Sequence, residues 1–213
     1  MTRRSWREAL RYVLPTGAVG AALLVAGRRI GWLALGVTGL FALFFRDPER
    51  RLDHDPAVVY AAADGVVTAI EEPVLDEWLP NGRGLRITTF LGLHNVHVNR
   101  SPVAGEVTQV RAVRGGFAPA LFARSQENSR RRLAVDGTAG RVVVIQVAGL
   151  LARKISGWVQ PGERVSAGQR IGMIHLGSRT DVLLPEGSVD VLATPGQRVR
   201  AGLTPLARYR ATL

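Results

Sequence analysis

Apolar residues along this chain come in two textures. Up to residue 45 they form two long runs, residues 13–26 and 30–45, parted by Gly27-Arg28-Arg29. From Val58 onward they shorten into β-branched stretches between glycine and proline punctuation. Examples are Gly65-Val-Val-Thr-Ala-Ile70, Leu85-Arg-Ile-Thr-Thr-Phe90, Gly105-Glu-Val-Thr-Gln-Val110 and Arg141-Val-Val-Val-Ile-Gln-Val147. Short strands at close spacing predict a mainly β domain, a sandwich or a partly closed barrel. The long runs predict helices, each below the ~20 residues of a straight membrane span. Residues 1–50 therefore read as an N-terminal α-helical hairpin anchoring the chain in or on a bilayer, and residues 51–213 as a β-rich domain. Pro48 stops the second helix. The opening Thr2-Arg-Arg-Ser-Trp-Arg-Glu8 has the composition of a membrane-interface anchor. A cleaved signal peptide fits less well, since no small-x-small site leads into a polar start and a second apolar run follows. A soluble pair of core helices is the remaining alternative. Between residues 115 and 132 the sequence is polar, basic and irregular, which predicts a long mobile loop of the kind that covers active sites.

Two later segments echo each other. Gln160-Pro-Gly-Glu-Arg-Val-Ser-Ala-Gly-Gln-Arg-Ile171 is matched by Thr194-Pro-Gly-Gln-Arg-Val-Arg-Ala-Gly-Leu203, each a Pro-Gly turn, a short strand and a second glycine turn. The spacing resembles lipoyl-like half-motifs. Neither copy carries a lysine at a hairpin tip, and Lys154 is the chain's only lysine. The repeat reads as architecture rather than a swinging arm.

Charge and composition narrow the partners. A net charge of +11 suits an anionic membrane surface or a nucleic acid. With aromatics at 6% and no Cys/His finger spacing, a nucleic acid would have no reader motif, so no nucleic-acid partner is expected. Cysteine is absent, which excludes disulfides, thiolate metal sites and a cysteine nucleophile.

Candidate chemistry sits in three places. Leu176-Gly177-Ser178 lies between apolar runs near the C-terminus. Gly177 leaves its carbonyl approachable from either side. A serine activated by a nearby base can attack such a preceding carbonyl and convert the amide to an ester. On its own a Gly-Ser pair is most often a turn. His94 and His97 are candidate bases; no third ligand cluster accompanies them, so no metal site is expected. Asp64, in Ala62-Ala-Asp-Gly65, offers a carboxylate able to orient a histidine, and otherwise reads as a turn residue. His54 and His175 carry no assigned role; His175 either lines the Ser178 site or faces solvent.

Taken together, these residues resemble the phosphatidylserine decarboxylase family in its shorter form. The matching stretches, in the family's order, are Phe44-Phe-Arg-Asp-Pro48, Ala62-Ala-Asp-Gly65, His94-Asn-Val-His-Val-Asn-Arg-Ser-Pro102, Glu127-Asn-Ser-Arg130, Gln146-Val-Ala-Gly-Leu-Leu-Ala-Arg153 and Leu176-Gly-Ser178. Two positions depart from the family pattern. Ala62 stands where the family has proline, and Ser129 replaces the second acid of Glu-Asn-Glu-Arg, so no role for that acid carries over.

The resemblance implies a zymogen that cleaves itself between Gly177 and Ser178 into a β chain, residues 1–177, and an α chain, residues 178–213. Ser178 would become a covalent pyruvoyl group, the only cofactor expected. This group would form a Schiff base with the amine of phosphatidylserine, carbon dioxide would leave, and reprotonation would give phosphatidylethanolamine. By resemblance His94 donates that proton, while His97 with Asp64 serves the maturation step. Leu93 and Val96 would help keep the site dry. Arg124, Arg130 and Arg131, in the basic segment, are candidates to hold the lipid phosphate, because the guanidinium fork suits phosphate. The expected location is the cell membrane, with the catalytic domain on the cytoplasmic face and an anionic bilayer as partner; a homo-oligomer is left open. Two alternatives stand. One is a decarboxylase of another serine-headed lipid such as archaetidylserine, and the other a non-catalytic, membrane-tethered, carrier-like β module.

Overall fold

A computed structural model describes residues 2–116, 127–149, 154–175 and 178–210. The chain divides into two compact units, Met1–Glu49 and Arg50–Leu213.

The first unit pairs helix α1 (Arg3–Val25) with helix α2 (Gly31–Phe44). α1 starts well before its apolar run because its N-terminus is capped from two sides. Thr2 Oγ1 accepts from the Ser5 N–H at 3.4 Å, and Asp47 Oδ2 accepts from Thr2 Oγ1 at 2.8 Å. Asp47, from the Phe44-Phe-Arg-Asp-Pro48 stretch, thus ties the end of the hairpin to its beginning. At 23 residues α1 is long and apolar enough to cross a membrane, by length and composition. The expectation that both runs are too short fails for this one, since the apolar pattern marked only part of the helix. The helices approach closely where Gly20 faces Leu35; a Cβ there would stand 2.8 Å from Leu35 Cδ2. Thr38 Oγ1 donates to Thr16 Oγ1 across the pair at 2.9 Å. Tyr12 stacks on Phe41 and Phe45.

The second unit is β. Its first strands are β1 (Val58–Tyr60), β2 (Gly65–Leu75), β3 (Arg83–Leu91), β4 (Val98–Arg100) and β5 (Gly105–Val113). Next come β6 (Arg130–Gly137), β7 (Gly140–Ala148), β8 (Ile155–Gly157), β9 (Arg164–Val165) and β10 (Arg170–Ile174). The last are β11 (Ser178–Pro185), β12 (Val189–Val191), β13 (Arg198–Val199) and β14 (Pro205–Tyr209). Eight form one curled sheet in the order β13-β2-β3-β11-β7-β6-β5-β9, and two three-stranded sheets, β1-β14-β12 and β4-β10-β8, complete the unit.

The echoed segments supply the two edges of the large sheet, β9 and β13. Their Pro-Gly turns adopt the same backbone, with Gly162 and Gly196 both at φ +87°. Their second glycines meet: a Cβ on Gly202 would lie 2.9 Å from the Gly168 Cα. The repeat is architecture, and it brings the two edges toward closure.

Strand alternation sorts the sheet into two faces. Val142 and Val144 of β7, Leu133 and Val135 of β6, and Val182 and Leu184 of β11 enter the main core. Their neighbours Val143, Ile145, Val147, Ala134 and Leu183 face the other way, into a second cluster with Trp78 and Leu79. Both faces turn polar toward the end at which Ser178 begins β11. The segment expected to be a loop up to Arg132 is shorter than that. Gly116 bridges to Asn128, and Arg130–Gly137 is strand β6. The run of three arginines hid a β pattern in which only Arg131 points inward; residues 117–126 lie outside the described residues.

Candidate active site

Ser178 lies in the middle of the large sheet, paired with Leu91 of β3 on one side and Ala148 of β7 on the other. It is fully buried, and its Oγ has no hydrogen-bond partner among the described residues. Buried hydroxyls are ordinarily satisfied, which sets this one apart as a candidate for chemistry. Gly177, its partner in the expected cleavage, lies outside the described residues.

Below Ser178 on the inner face runs a chain of buried polar side chains. Arg131 Nη1 donates to Gln146 Oε1 at 3.1 Å, Gln146 Nε2 to Asn99 Oδ1 at 2.7 Å, and Asn99 Nδ2 to Thr180 Oγ1 at 3.2 Å. Arginine can only donate, so it fixes the orientation of both amides in turn. The small sheet β4-β10-β8 fits over this chain through two glycines. A Cβ on Gly157 would overlap the Arg131 guanidinium, and one on Gly172 would stand 2.9 Å from Gln146 Nε2. Arg131 Nη2 also donates to the Val159 carbonyl at 2.7 Å, and burial lowers the Arg131 pKa. This corrects the assignment of Arg131 to a lipid phosphate, because its guanidinium is enclosed within the fold. Arg130, on the opposite face of β6, is half-buried, and Arg124 lies outside the described residues.

His97 is fully buried just before β4. The Ile174 N–H donates to its carbonyl at 3.1 Å, which sets it beside the strand that leads into Ser178. The ring Nδ1 is 2.9 Å from the Asn95 carbonyl. A carbonyl only accepts, so Nδ1 carries the hydrogen and Nε2 is the basic nitrogen of the neutral ring. Two residues on, in β4, Asn99 reaches Thr180 on the face of β11 that also bears Ser178.

Asp64 does not supply the Nδ1 contact expected of an orienting acid. Its Oδ1 accepts from Arg50 Nη1 at 2.6 Å and from the Ala201 N–H at 2.8 Å, and its Oδ2 accepts from Arg50 Nη2 at 2.7 Å. The Asn95 carbonyl takes the tautomer-setting role. His94 is exposed on the turn between β3 and β4, as is Leu93 at 52%, whereas Val96 is buried.

Several site residues carried no role in the sequence reading. Asn99 and Gln146 were within recognised stretches, yet nothing in their spacing says that β4 and β7 meet. Asn128 Nδ2 donates to the Ala148 carbonyl at 2.8 Å and so holds β7 where it pairs with Ser178. His175 is fully buried, not solvent-facing, and its Nε2 lies 3.2 Å from Ser156 Oγ. His54 is structural, with Nε2 2.8 Å from the Gly202 carbonyl and its ring edge-on to Tyr60.

The family model described as phosphatidylserine decarboxylase matches residues 37–207, which takes in every one of these side chains. The chain belongs to the phosphatidylserine decarboxylase family. A protein of Carboxydothermus hydrogenoformans named phosphatidylserine decarboxylase proenzyme is 37% identical over 96% of this chain and 96% of its own. A Streptomyces griseus protein of the same name is 42% identical over 95% of this chain and 92% of its own. A Methanosarcina barkeri protein, provisionally named archaetidylserine decarboxylase proenzyme, is 36% identical over 85% and 83%. Among solved structures, glucose permease IIA from Mycoplasma capricolum matches with a TM-score of 0.39 at 16% identity, covering 74% of this chain and 98% of its own, too distant to carry an argument. Of the quoted stretches, Gln146 and Ser178 lie on the large sheet, Asn128 bonds to β7 beside Ser178, and Asn99 reaches across from β4. Phe44-Phe-Arg-Asp-Pro48 belongs to the helical unit.

Proposed function

We propose that this chain is a proenzyme that cuts itself between Gly177 and Ser178 and then decarboxylates phosphatidylserine. The observation that carries the reading is the buried Ser178 Oγ without a partner among the described residues. His97 Nε2 removes the Oγ proton as Oγ adds to the Gly177 carbonyl carbon. The Gly177–Ser178 amide bond breaks, the nitrogen takes a proton, and an ester joins the two halves. Loss of the Ser178 Cα proton expels the Gly177 carboxylate and leaves a dehydroalanine on residue 178. Tautomerisation and addition of water then release ammonia and leave a pyruvoyl group.

The residues present fit such a group, since Ser178, from which it would form, is buried at a strand start between Leu91 of β3 and Ala148 of β7. Such a group would supply a carbonyl to hold the substrate amine and an electron sink for the bond to the departing carboxylate. The two histidines divide the proton work by exposure. Buried His97 serves the internal cleavage. Exposed His94 can reload from solvent and delivers a proton to the carbon that has lost carbon dioxide. The inner chain from Arg131 to Thr180 holds β11 in register beneath the reacting residue.

The helical unit supports a membrane location. Trp32, Leu33 and Leu40 of α2 are each about two-thirds exposed, and a hairpin that presents apolar side chains outward suits a lipid environment. The relative named for archaetidylserine favours a serine-headed phospholipid as the general substrate class. Phosphatidylserine carrying a labelled carboxylate tests the chemistry. Wild-type chain releases labelled carbon dioxide, Ser178→Ala stays a single inactive chain, and His94→Ala is cleaved but at least about a hundredfold slower in turnover. A cleaved His94→Ala chain with full activity would remove its donor role.

A further inference from the structure

The outer face of the sheet, behind Ser178, carries a second polar feature that the reaction scheme does not use. A cavity of about 340 Å³ opens there over β3, β11, β7 and β6. Four arginines line it: Arg86 from β3, Arg179 from β11, and Arg130 and Arg132 from β6. Asp76, Glu127 and Asp181 are the acids. Among these lining residues four guanidinium groups stand with three carboxylates, and Arg86 Nη1 also pairs with Glu71 Oε2 at 3.3 Å. Part of the set is already paired: Arg132 Nη2 donates to Asp76 Oδ1 at 2.6 Å, and Arg179 Nη2 to Asp181 Oδ2 at 3.1 Å. Arg132 also lies over the Trp78 ring, 4.4 Å from its centroid, which fixes the direction of its fork.

Two donors are left over. Arg86 Nε and Arg132 Nε are buried and have no hydrogen-bond partner among the described residues. A buried N–H without a partner is costly, and here two such donors belong to side chains that line one small cavity. An anionic acceptor satisfies such guanidinium donors, and a phosphodiester is such a group.

The register places the cavity next to the reacting residue. Arg179 directly follows Ser178, with ~3.8 Å between successive Cα atoms. Arg179 and Arg130 both pair with Val147, so the two arginines stand in one row across the sheet. In a phosphoserine headgroup only a few bonds separate the amine from the phosphorus. An amine at residue 178 therefore brings its phosphate within reach of this row.

We propose that the cavity binds the phosphodiester of the substrate headgroup, with Arg86, Arg130, Arg132 and Arg179 as its donors. The assignment rests on the phosphatidylserine reading above and replaces Arg131 with residues of the opposite face. The test uses the full-length Ser178→Ala chain, in which binding is read without turnover, so it stays separate from whether the wild type cleaves itself. Short-chain phosphatidylserine, the matching diacylglycerol and inorganic phosphate are titrated by calorimetry. Phosphatidylserine is expected to bind, inorganic phosphate to compete with it, and the diacylglycerol to bind at least about tenfold more weakly. Adding Arg86→Gln and Arg130→Gln, which leave the Arg132–Asp76 and Arg179–Asp181 pairs intact, should weaken the lipid by at least about tenfold. Unchanged lipid affinity in that variant would overturn the proposal. So would phosphate that binds without displacing the lipid, which would make the cavity a free-anion site.

Discussion

At the scale of single residues, the site is decided by which polar atoms have partners. Ser178 Oγ has none among the described residues, while Asp64 has three donors on two oxygens. By residue type these two pair as nucleophile and orienting acid; burial and hydrogen bonding separate them. The Asp64 and Arg50 side chains are 10% and 8% exposed, so removing the carboxylate strands a buried guanidinium. Asp64→Ala is therefore expected to lower unfolding stability by about 3 kcal/mol, read from urea denaturation of the uncleaved Ser178→Ala chain. A variant of native stability that nonetheless processes slowly would return Asp64 to the chemistry.

At the scale of elements, β11 shows why part of the site was legible in sequence and part was not. Its core-facing Val182 and Leu184 are readable from alternation, and Gly177-Ser178 from chemistry. The outward Arg179 and Asp181 look like an ordinary solvated pair in one dimension. Asp181 is buried and Arg179 half-buried because β3 and β7 lie alongside, and no local signal reports that neighbourhood. Similarly, three successive arginines in β6 look alike in sequence, but the period of two sends Arg131 inward and Arg130 and Arg132 outward.

The consequence for β11 is a pH dependence. Burial raises the Asp181 pKa above 3.8, opposed by Arg179 and Arg86 and by hydrogen bonds from Thr88 and Arg179. The folded chain then holds this proton to higher pH than the unfolded chain does. The stability linked to this proton is full below 3.8 and is lost as pH rises through the folded value. Asp136 has the opposite sign: the hydrogen bond from Arg141 lowers its pKa, so its contribution is lost only as pH falls below 3.8. Urea unfolding of the uncleaved chain across pH should show a decline above 3.8 that Asp181→Asn flattens. A decline of equal slope in the variant would assign it to other groups.

At the scale of the whole molecule, the two textures of the sequence correspond to two units, one helical and one β. The β architecture was readable because strand punctuation and the echoed segments are local signals; the closure between Gly168 and Gly202 was not, because it joins opposite edges of the sheet. A chain starting at Arg50 keeps the Asp64 ion pair and should retain its β circular dichroism while losing co-sedimentation with anionic vesicles. Equal sedimentation of the truncated and full chains would move membrane binding from the helices to the basic surface of the β unit.

Whether Ser178 remakes the chain is read from the intact mass of the purified full-length protein under denaturing conditions. Two chains are predicted, with the smaller beginning at residue 178 and lighter by one ammonia than a serine-headed fragment. A single full-length chain that persists through prolonged incubation with phosphatidylserine membranes would contradict the account.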